Sequence, residues 1–502
     1  MNFDGKAFLE LFKFNGNMEM VFHTGFFLAL FIVFLVFYTL LYHRNALRYY
    51  LLIAFSLYFY YKASGEFLAL LLITVGIDYF ISLAITHTKS QAWKRVQMTI
   101  GILFSLSFLF YFKYANFFAE QYAYIVGQTH TAWDIILPVG ISFYTFQSIS
   151  YIVDTYYERF EKPSFKTYLM YMTYFPHLVA GPIVRAKDFL PQVERIEIDE
   201  NTGKKKFILP NISLSADNAK EAMYLILKGF IKKAIVGDFV AQYADIVFSS
   251  PTAFSGTEHW VATLCYTLQI FCDFSGYTDM AIGISLLLGY RLHKNFDSPY
   301  TATNITVFWR KWHISLSSWL RDYIYIPLGG NRKGISAQLL FLMITMLVGG
   351  FWHGASWKFI FWGFGHGMLL ILHKLYVKAT KDTILAKMPK IMAWSINFSV
   401  VALLWIPFRA LSMEDTLIMY KGIFSGIDFA QLRQVFLNNE GIFYMLGIGY
   451  TAALLPMLLK SKFQEWYFNT DLVVKFAILI IAIQVMLQFE NETVQPFIYF
   501  QF

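Results

Sequence analysis

Long apolar runs separated by short polar connections recur along the whole of this 502-residue chain. Thr24–Tyr42, Gly334–Trp352, Ile391–Phe408 and Gly441–Leu459 each approach the roughly 20 residues that cross a bilayer as a helix. Phe476–Phe489 is shorter and completes a span only with Lys475 or earlier residues. The pattern predicts an all-α, polytopic membrane protein with roughly ten to twelve embedded segments. They are drawn from 21–42, 47–61, 66–86 and 98–118; from 134–154, 168–184 and 219–248; and from 258–290, 338–352, 356–376, 391–410, 441–459 and 472–489. No fixed-period repeat is visible, which argues against a solenoid or an inverted-repeat transporter.

Two stretches interrupt this pattern. Arg185–Asn218 carries six basic and six acidic residues and reads as a surface excursion. Arg291–Lys333 carries seven basic residues against two acidic ones, yet Trp309, Trp312, Trp319 and Tyr323 return at intervals of three, seven and four. That spacing predicts one amphipathic helix face. Such a helix lies at the membrane interface or lines a half-buried funnel, with Arg310, Lys311 and Arg321 reaching headgroups or a ligand. An ordinary interfacial helix is the plainer alternative.

Composition sharpens the membrane reading. The chain is 57% hydrophobic and only 15% charged, where a soluble protein of this size needs about a quarter of its residues charged. The net charge of +8 sits in short loops, where the positive-inside rule accounts for it without nucleic acid. The same loops would attract an anionic ligand on the cytoplasmic side. Cys265 and Cys272 are seven apart on an apolar helical run, which suits packing and not metal binding or a mutual disulfide. The first apolar run has no compact basic leader or small-residue cleavage site, so it reads as a retained helix.

The candidate chemistry gathers in Asn304–His366, which holds six of the twelve tryptophans. His353 closes the uncharged run Gly334–Trp352 and is bordered by Gly349, Gly350 and Gly354, which permit close approach of another backbone or a ligand. A packed histidine on a backbone carbonyl is one reading of His353; a cavity general base is the other. His313, between Trp312 and Ile314, is a candidate to line the same cavity, although nothing in the sequence brings the two histidines together. His366 and His373 read as packing or helix-end residues. Asp273 and Asp279, in FCDFSGYTDMAIG, are intramembrane carboxylates in a glycine-containing kink, and mark a polar pathway or a paired partner. Pro138 and Gly140 open a helix whose Tyr144, Gln147, Ser148, Tyr151 and Asp154 form one polar face. The nucleophile elbow, the phosphate loop and the H-E-x-x-H zinc motif are all missing from the sequence, so no metal is expected.

FWRKWHISLSSWLRDYIYIPLGGNRKG followed by GGFWHGASWKFIFWGFGHG resembles the membrane-bound O-acyltransferase family, and within it the branch of the bacterial alginate O-acetyltransferase membrane subunit. ILPVGISFYTFQSISYIVDTYY, YFPHLVAGPIVR and YTLQIFCDFSGYTDMAIGISLLLGY match the same branch, and together the blocks cover most of residues 134–376. The resemblance implies a multi-helix fold whose funnels, one from each membrane face, meet at a narrow catalytic centre. It implies a single acyltransferase domain over 1–502, with N-terminal helices to 130, a motif-bearing core over 131–380 and C-terminal helices beyond. His353 corresponds to the family's key histidine and His313 to a second, frequently functional position.

The resemblance further implies an O-acyltransferase of the bacterial inner membrane that passes an acyl group from a cytoplasmic donor to an extracytoplasmic or secreted polysaccharide. Acetyl-CoA is the implied donor, docking on Trp309, Arg310, Lys311, Trp312 and Arg321, and a serine esterase-like protein outside the membrane is the implied partner beside lipids and glycan. Two alternatives stand beside this reading. One is D-alanyl transfer from a carrier protein's phosphopantetheine arm to teichoic acid, against which the helices after 391 argue; the other is a non-catalytic transporter or scaffold. Whether His353 removes the hydroxyl proton or is itself acylated stays open.

Overall fold

The computed structural model describes residues 10–15, 20–198, 205–208, 215–381 and 388–489. Among them the chain is helical apart from one antiparallel hairpin, Arg195–Ile198 with Lys205–Ile208, in the polar excursion. Helices are what a bilayer permits, since each backbone N–H and C=O must be satisfied within its own segment. The chain divides into two compact units, Met1–Ala222 with Ala281–His293, and Met223–Met280 with Lys294–Phe502.

Among the described residues, five helical stretches are long and apolar enough to cross a membrane: Asn45–His87, Gln91–Ile125, Gly334–His353, Trp357–Thr380 and Lys390–Arg409. A sixth arises if the bent pair Glu440–Leu454 and Met457–Asn469 is one span, and Gly25–Leu40 and Leu472–Met486 are shorter apolar helices. The stretch Asn45–His87 runs to 43 residues, about twice what one crossing requires. It is two 20-residue helices, Asn45–Ser64 and Leu68–His87, joined by a short 3₁₀ turn that starts at Gly65. The ten to twelve segments expected from sequence count such halves separately and include more polar helices.

In the first unit the helix Ile141–Tyr156 follows Gly140, whose φ of 76° starts it from a left-handed turn. Its polar face, Tyr144, Gln147, Ser148, Tyr151 and Asp154, is buried together with most of the rest of the helix. Tyr151 stacks on Tyr168 at 4.0 Å and its hydroxyl meets that of Ser82 at 3.0 Å. Asp154 is paired with Arg159 at 2.7 Å.

Gly256–Leu287 is one unbroken helix, so the glycine in FCDFSGYTDMAIG does not kink it. Gly276 instead lets another helix approach: a Cβ there would lie 2.7 Å from the Gly229 carbonyl oxygen. The approaching segment is the end of the helix that closes at Phe230, with the π-helical stretch Ile231–Gly237 that continues it. From the π stretch Lys233 reaches Asp273 at 2.7 Å and Asp238 at 2.7 Å and Lys232 reaches Asp279 at 2.7 Å, while Lys228, one turn earlier, reaches Asp279 at 3.1 Å. Of the two readings of Asp273 and Asp279, the paired one is what the packing shows. Cys265 and Cys272 are both buried free thiols.

Candidate functional site

The stretch expected to form one amphipathic helix is broken at His313. Ile305–Lys311 is a short helix started by Asn304, whose side chain accepts from Val307 N–H. A second short helix, Ile314–Leu320, follows, and a π-turn continues it through Arg321–Tyr325. Between the two helices His313 takes a left-handed conformation, φ 42° and ψ 56°. A non-glycine residue pays of order 1 kcal/mol for this geometry and keeps it only where the surroundings enforce it.

The enforcement comes from 294–298. Ile314 N–H donates to the Asn295 carbonyl at 2.9 Å, and Asp297 N–H donates to the Lys311 carbonyl at 2.9 Å. The Asn295 side-chain Oδ1 accepts from Ser315 N–H at 3.0 Å and from Ser315 Oγ at 2.9 Å, and lies 3.3 Å from His313 Nδ1. Both Asn295 and His313 are fully buried. The His313 ring meets Phe274 edge to face at 4.6 Å, with Phe296 and Trp352 at 6.4 and 6.3 Å. Burial pushes its pKa down to about 3, so the imidazole is neutral at physiological pH.

His353 ends the helix Gly334–His353, and an extended Gly354 turns the chain toward the next helix, Trp357–Thr380. The two helices cross on glycines: a Cβ on Gly350 would fall on the Phe359 carbonyl oxygen and 3.0 Å from Gly363 Cα. Between the backbone and ligand readings of the glycines by His353, Gly350 serves the backbone. Three aromatic edges enclose the imidazole: Trp352 at 4.9 Å, Trp362 at 5.1 Å and Phe408 at 4.9 Å, all T-shaped. Trp352 is therefore shared by both histidines, and the two expected site residues stand on one aromatic cluster.

The other expected residues sort by depth. Trp309 and Trp312 are buried in that cluster, Trp309 against Trp362 at 5.8 Å and Trp312 against Trp405 at 4.9 Å. Arg310 is exposed, and Lys311 is half-buried with its ammonium on Thr301 Oγ1 at 3.0 Å. Arg321 is exposed and bound to Asp322, Nε to Oδ1 at 2.6 Å and a second guanidinium nitrogen to Oδ2 at 3.2 Å. His366 packs between Trp362 at 4.6 Å and Trp309 at 5.1 Å, as expected of a core histidine, and His373 Nδ1 meets Thr306 Oγ1 at 3.0 Å.

Sequence reasoning missed Asn295, Ser315, Trp405 and Phe408. Asn295 sits in RLHKNFDSP with no periodicity to mark it. Trp405 and Phe408 lie on Lys390–Arg409, an apolar helix that offers no local sign of facing the histidines. Among the described residues no three His, Cys, Asp or Glu side chains gather as a metal site would require.

Comparison with known proteins adds to this geometry. The family model of the membrane-bound O-acyltransferases matches residues 152–414, which hold His313, His353 and the aromatic cluster between them. The peptidoglycan O-acetyltransferase of Helicobacter pylori is 37% identical over 74% of this chain and 73% of its own length. The probable alginate O-acetylase of Pseudomonas putida is 34% identical over 96% of this chain and 100% of its own. The teichoic acid D-alanyltransferase of Streptococcus thermophilus is 27% identical over 48% of this chain and 58% of its own.

Proposed function

This chain belongs to the membrane-bound O-acyltransferase family, and from that premise we propose that it carries acetyl groups from acetyl-CoA on the cytoplasmic side of a bacterial inner membrane to a polysaccharide outside it. It is a multi-pass membrane O-acyltransferase, and O-acetylation of a glycan is the activity its most similar relatives are named for. The observation that carries the proposal is the meeting of His313 and His353 on one buried aromatic cluster through Trp352.

In this reading the whole chain acts as one catalytic domain. Arg310, Lys311 and Arg321, with Trp309 and Trp312 beneath them, receive the polyanionic donor, and the aromatic surroundings keep water from its thioester. A histidine takes the proton of the acceptor hydroxyl as the oxygen attacks the thioester carbonyl. The C–S bond breaks, and the departing thiolate recovers a proton from the same imidazole. His353 holds the centre of the reaction and His313 assists or positions. An extracytoplasmic, serine esterase-like protein takes the acyl group onward to the polymer.

D-alanyl transfer is disfavoured by the shorter and weaker match to the D-alanyltransferases. Membranes carrying this chain, given acetyl-CoA labelled in the acetyl group, should pass label to a protein or glycan acceptor. Transfer from D-alanyl carrier protein, with none from acetyl-CoA, would overturn the donor assignment; transfer from neither would overturn the catalytic one.

A further inference from the structure

We infer that Asn295 is a positioning residue that fixes the tautomer of His313, placing the proton on Nδ1 and leaving Nε2 as the nitrogen that accepts. The inference rests on the acyltransferase reading for its catalytic meaning, and on hydrogen-bond bookkeeping for its chemistry.

The amide of Asn295 is oriented by a donor with no choice. Ser315 N–H can only donate, and it meets the side-chain atom assigned as Oδ1 at 3.0 Å, so that atom is oxygen and not nitrogen. His313 Nδ1 lies 3.3 Å from the same oxygen. A lone pair on Nδ1 would face a carbonyl lone pair across that distance, whereas a proton on Nδ1 makes a hydrogen bond. The alternative donor to Nδ1 is the Ser315 hydroxyl, 3.4 Å away. That hydroxyl has one proton and stands closer, at 2.9 Å, to Asn295 Oδ1. Giving it to Nδ1 would exchange a good hydrogen bond for a long one and add the repulsion. The Nδ1–H arrangement wins on both counts.

A neutral imidazole carries one proton, so Nδ1–H leaves the lone pair on Nε2. His313 is then able to take a proton, or accept a hydrogen bond from a hydroxyl or amide, and is unable to donate to a developing oxyanion while neutral. The left-handed backbone at His313 belongs to the same device. The Ile314 N–H bond to the Asn295 carbonyl holds the turn that brings the ring and Ser315 to one oxygen. Asn295 is kept at a cost as well: its Nδ2 is buried with no hydrogen-bond partner among the described residues. An apolar side chain would avoid that cost, so the position is explained by what the oxygen does.

The test compares full-length wild type with Asn295→Leu and Asn295→Asp, alongside His313→Ala, each in bacterial membranes that hold the protein and glycan acceptors. Labelled acetyl-CoA is the donor, and chromatography checks that each variant is folded. Asn295→Leu should lower kcat by up to roughly 100-fold, the scale of loss when a reacting group is misplaced, with little change in KM. Asn295→Asp keeps an acceptor and should restore much of the rate. Its carboxylate favours the imidazolium, so the acidic limb of the pH profile should move to higher pH. A folded Asn295→Leu protein with wild-type kcat, beside an inactive His313→Ala, would overturn the inference and leave the acyltransferase reading intact.

Should the wild type transfer nothing, that reading fails, and ¹⁵N spectra of histidine-labelled protein still decide the tautomer. The His313 signal, identified by its loss in His313→Gln, should show a protonated Nδ1 and a bare Nε2. A protonated Nε2 in the wild type would contradict the inference.

Discussion

The rings of His313 and Trp352 lie 6.3 Å apart at an interplanar angle of 64°, although 39 positions separate them in the chain. The same indole meets His353 at 4.9 Å. One buried side chain thus sets the spacing of two histidines that come from different elements, the turn between two short helices and the end of a spanning helix.

Trp352→Ala should therefore act on both. Emptying a buried tryptophan site costs about 3–5 kcal/mol, so the variant should unfold at lower temperature in detergent and lose most transfer. Trp352→Phe keeps an aromatic ring in place and should recover part of both. If Trp352→Ala proved as stable and as active as wild type, the tryptophan would not be what holds the two histidines together.

The buried pair Lys233–Asp273, 2.7 Å apart, makes a separate prediction. Removing one partner of such a pair typically costs about 3–5 kcal/mol, because the other charge stays buried and uncompensated. Lys233→Met should destabilise the protein by that order, and Lys233→Met with Asp273→Leu should be more stable than Lys233→Met alone. Denaturation followed by loss of monodisperse protein reads both. A double variant less stable than the single would show that Asp273 is balanced elsewhere.

Gly350 offers a steric test. Leucine at Gly350 has to displace the Phe359 carbonyl and the Gly363 backbone, so Gly350→Leu should separate Gly334–His353 from Trp357–Thr380 and reduce folded yield sharply. Gly447, with open space around its missing Cβ, is the control, and Gly447→Ala should be well tolerated. Equal yields from the two variants would remove the close helix crossing from the account.

The membrane pattern was legible in the sequence because burial in lipid writes itself into long local runs. Helices such as Leu68–His87, Ile141–Tyr156 and Gly334–His353 fall close to where hydropathy places them. The polar face of Ile141–Tyr156 was legible for the same reason, since it depends only on helical spacing. What local pattern could not convey was contact. The break at His313 is imposed by Asn295, 18 residues earlier, and a run of helical spacing passes through it unmarked. Gly276 and Gly350 read as a kink and as a place of close approach, but which partner each meets is decided by another helix. Asn295 itself carries no signal, because its part exists only once three hydrogen-bond donors have converged on it.

Orientation is tested independently of chemistry. The excess of basic residues in Arg291–Lys333 predicts that this stretch faces the cytoplasm or sits at that interface. Lys333 is exposed and both native cysteines are buried, so an impermeant thiol reagent should report Lys333→Cys alone. Labelling should require access to the inside; labelling only from outside would reverse the topology and remove the donor role of Arg310, Lys311 and Arg321.

The central claim is that His353 is where the acyl group is transferred. The direct measurement is acetyl transfer by folded, membrane-inserted His353→Ala, with His313→Ala and His373→Ala beside it. Loss of a general base or nucleophile costs at least about 10²-fold. His353→Ala should fall by that much or more, His313→Ala should be impaired to a smaller or equal degree, and His373→Ala should stay near wild type. A folded His353→Ala protein that transfers acetyl groups at the normal rate would contradict the assignment outright.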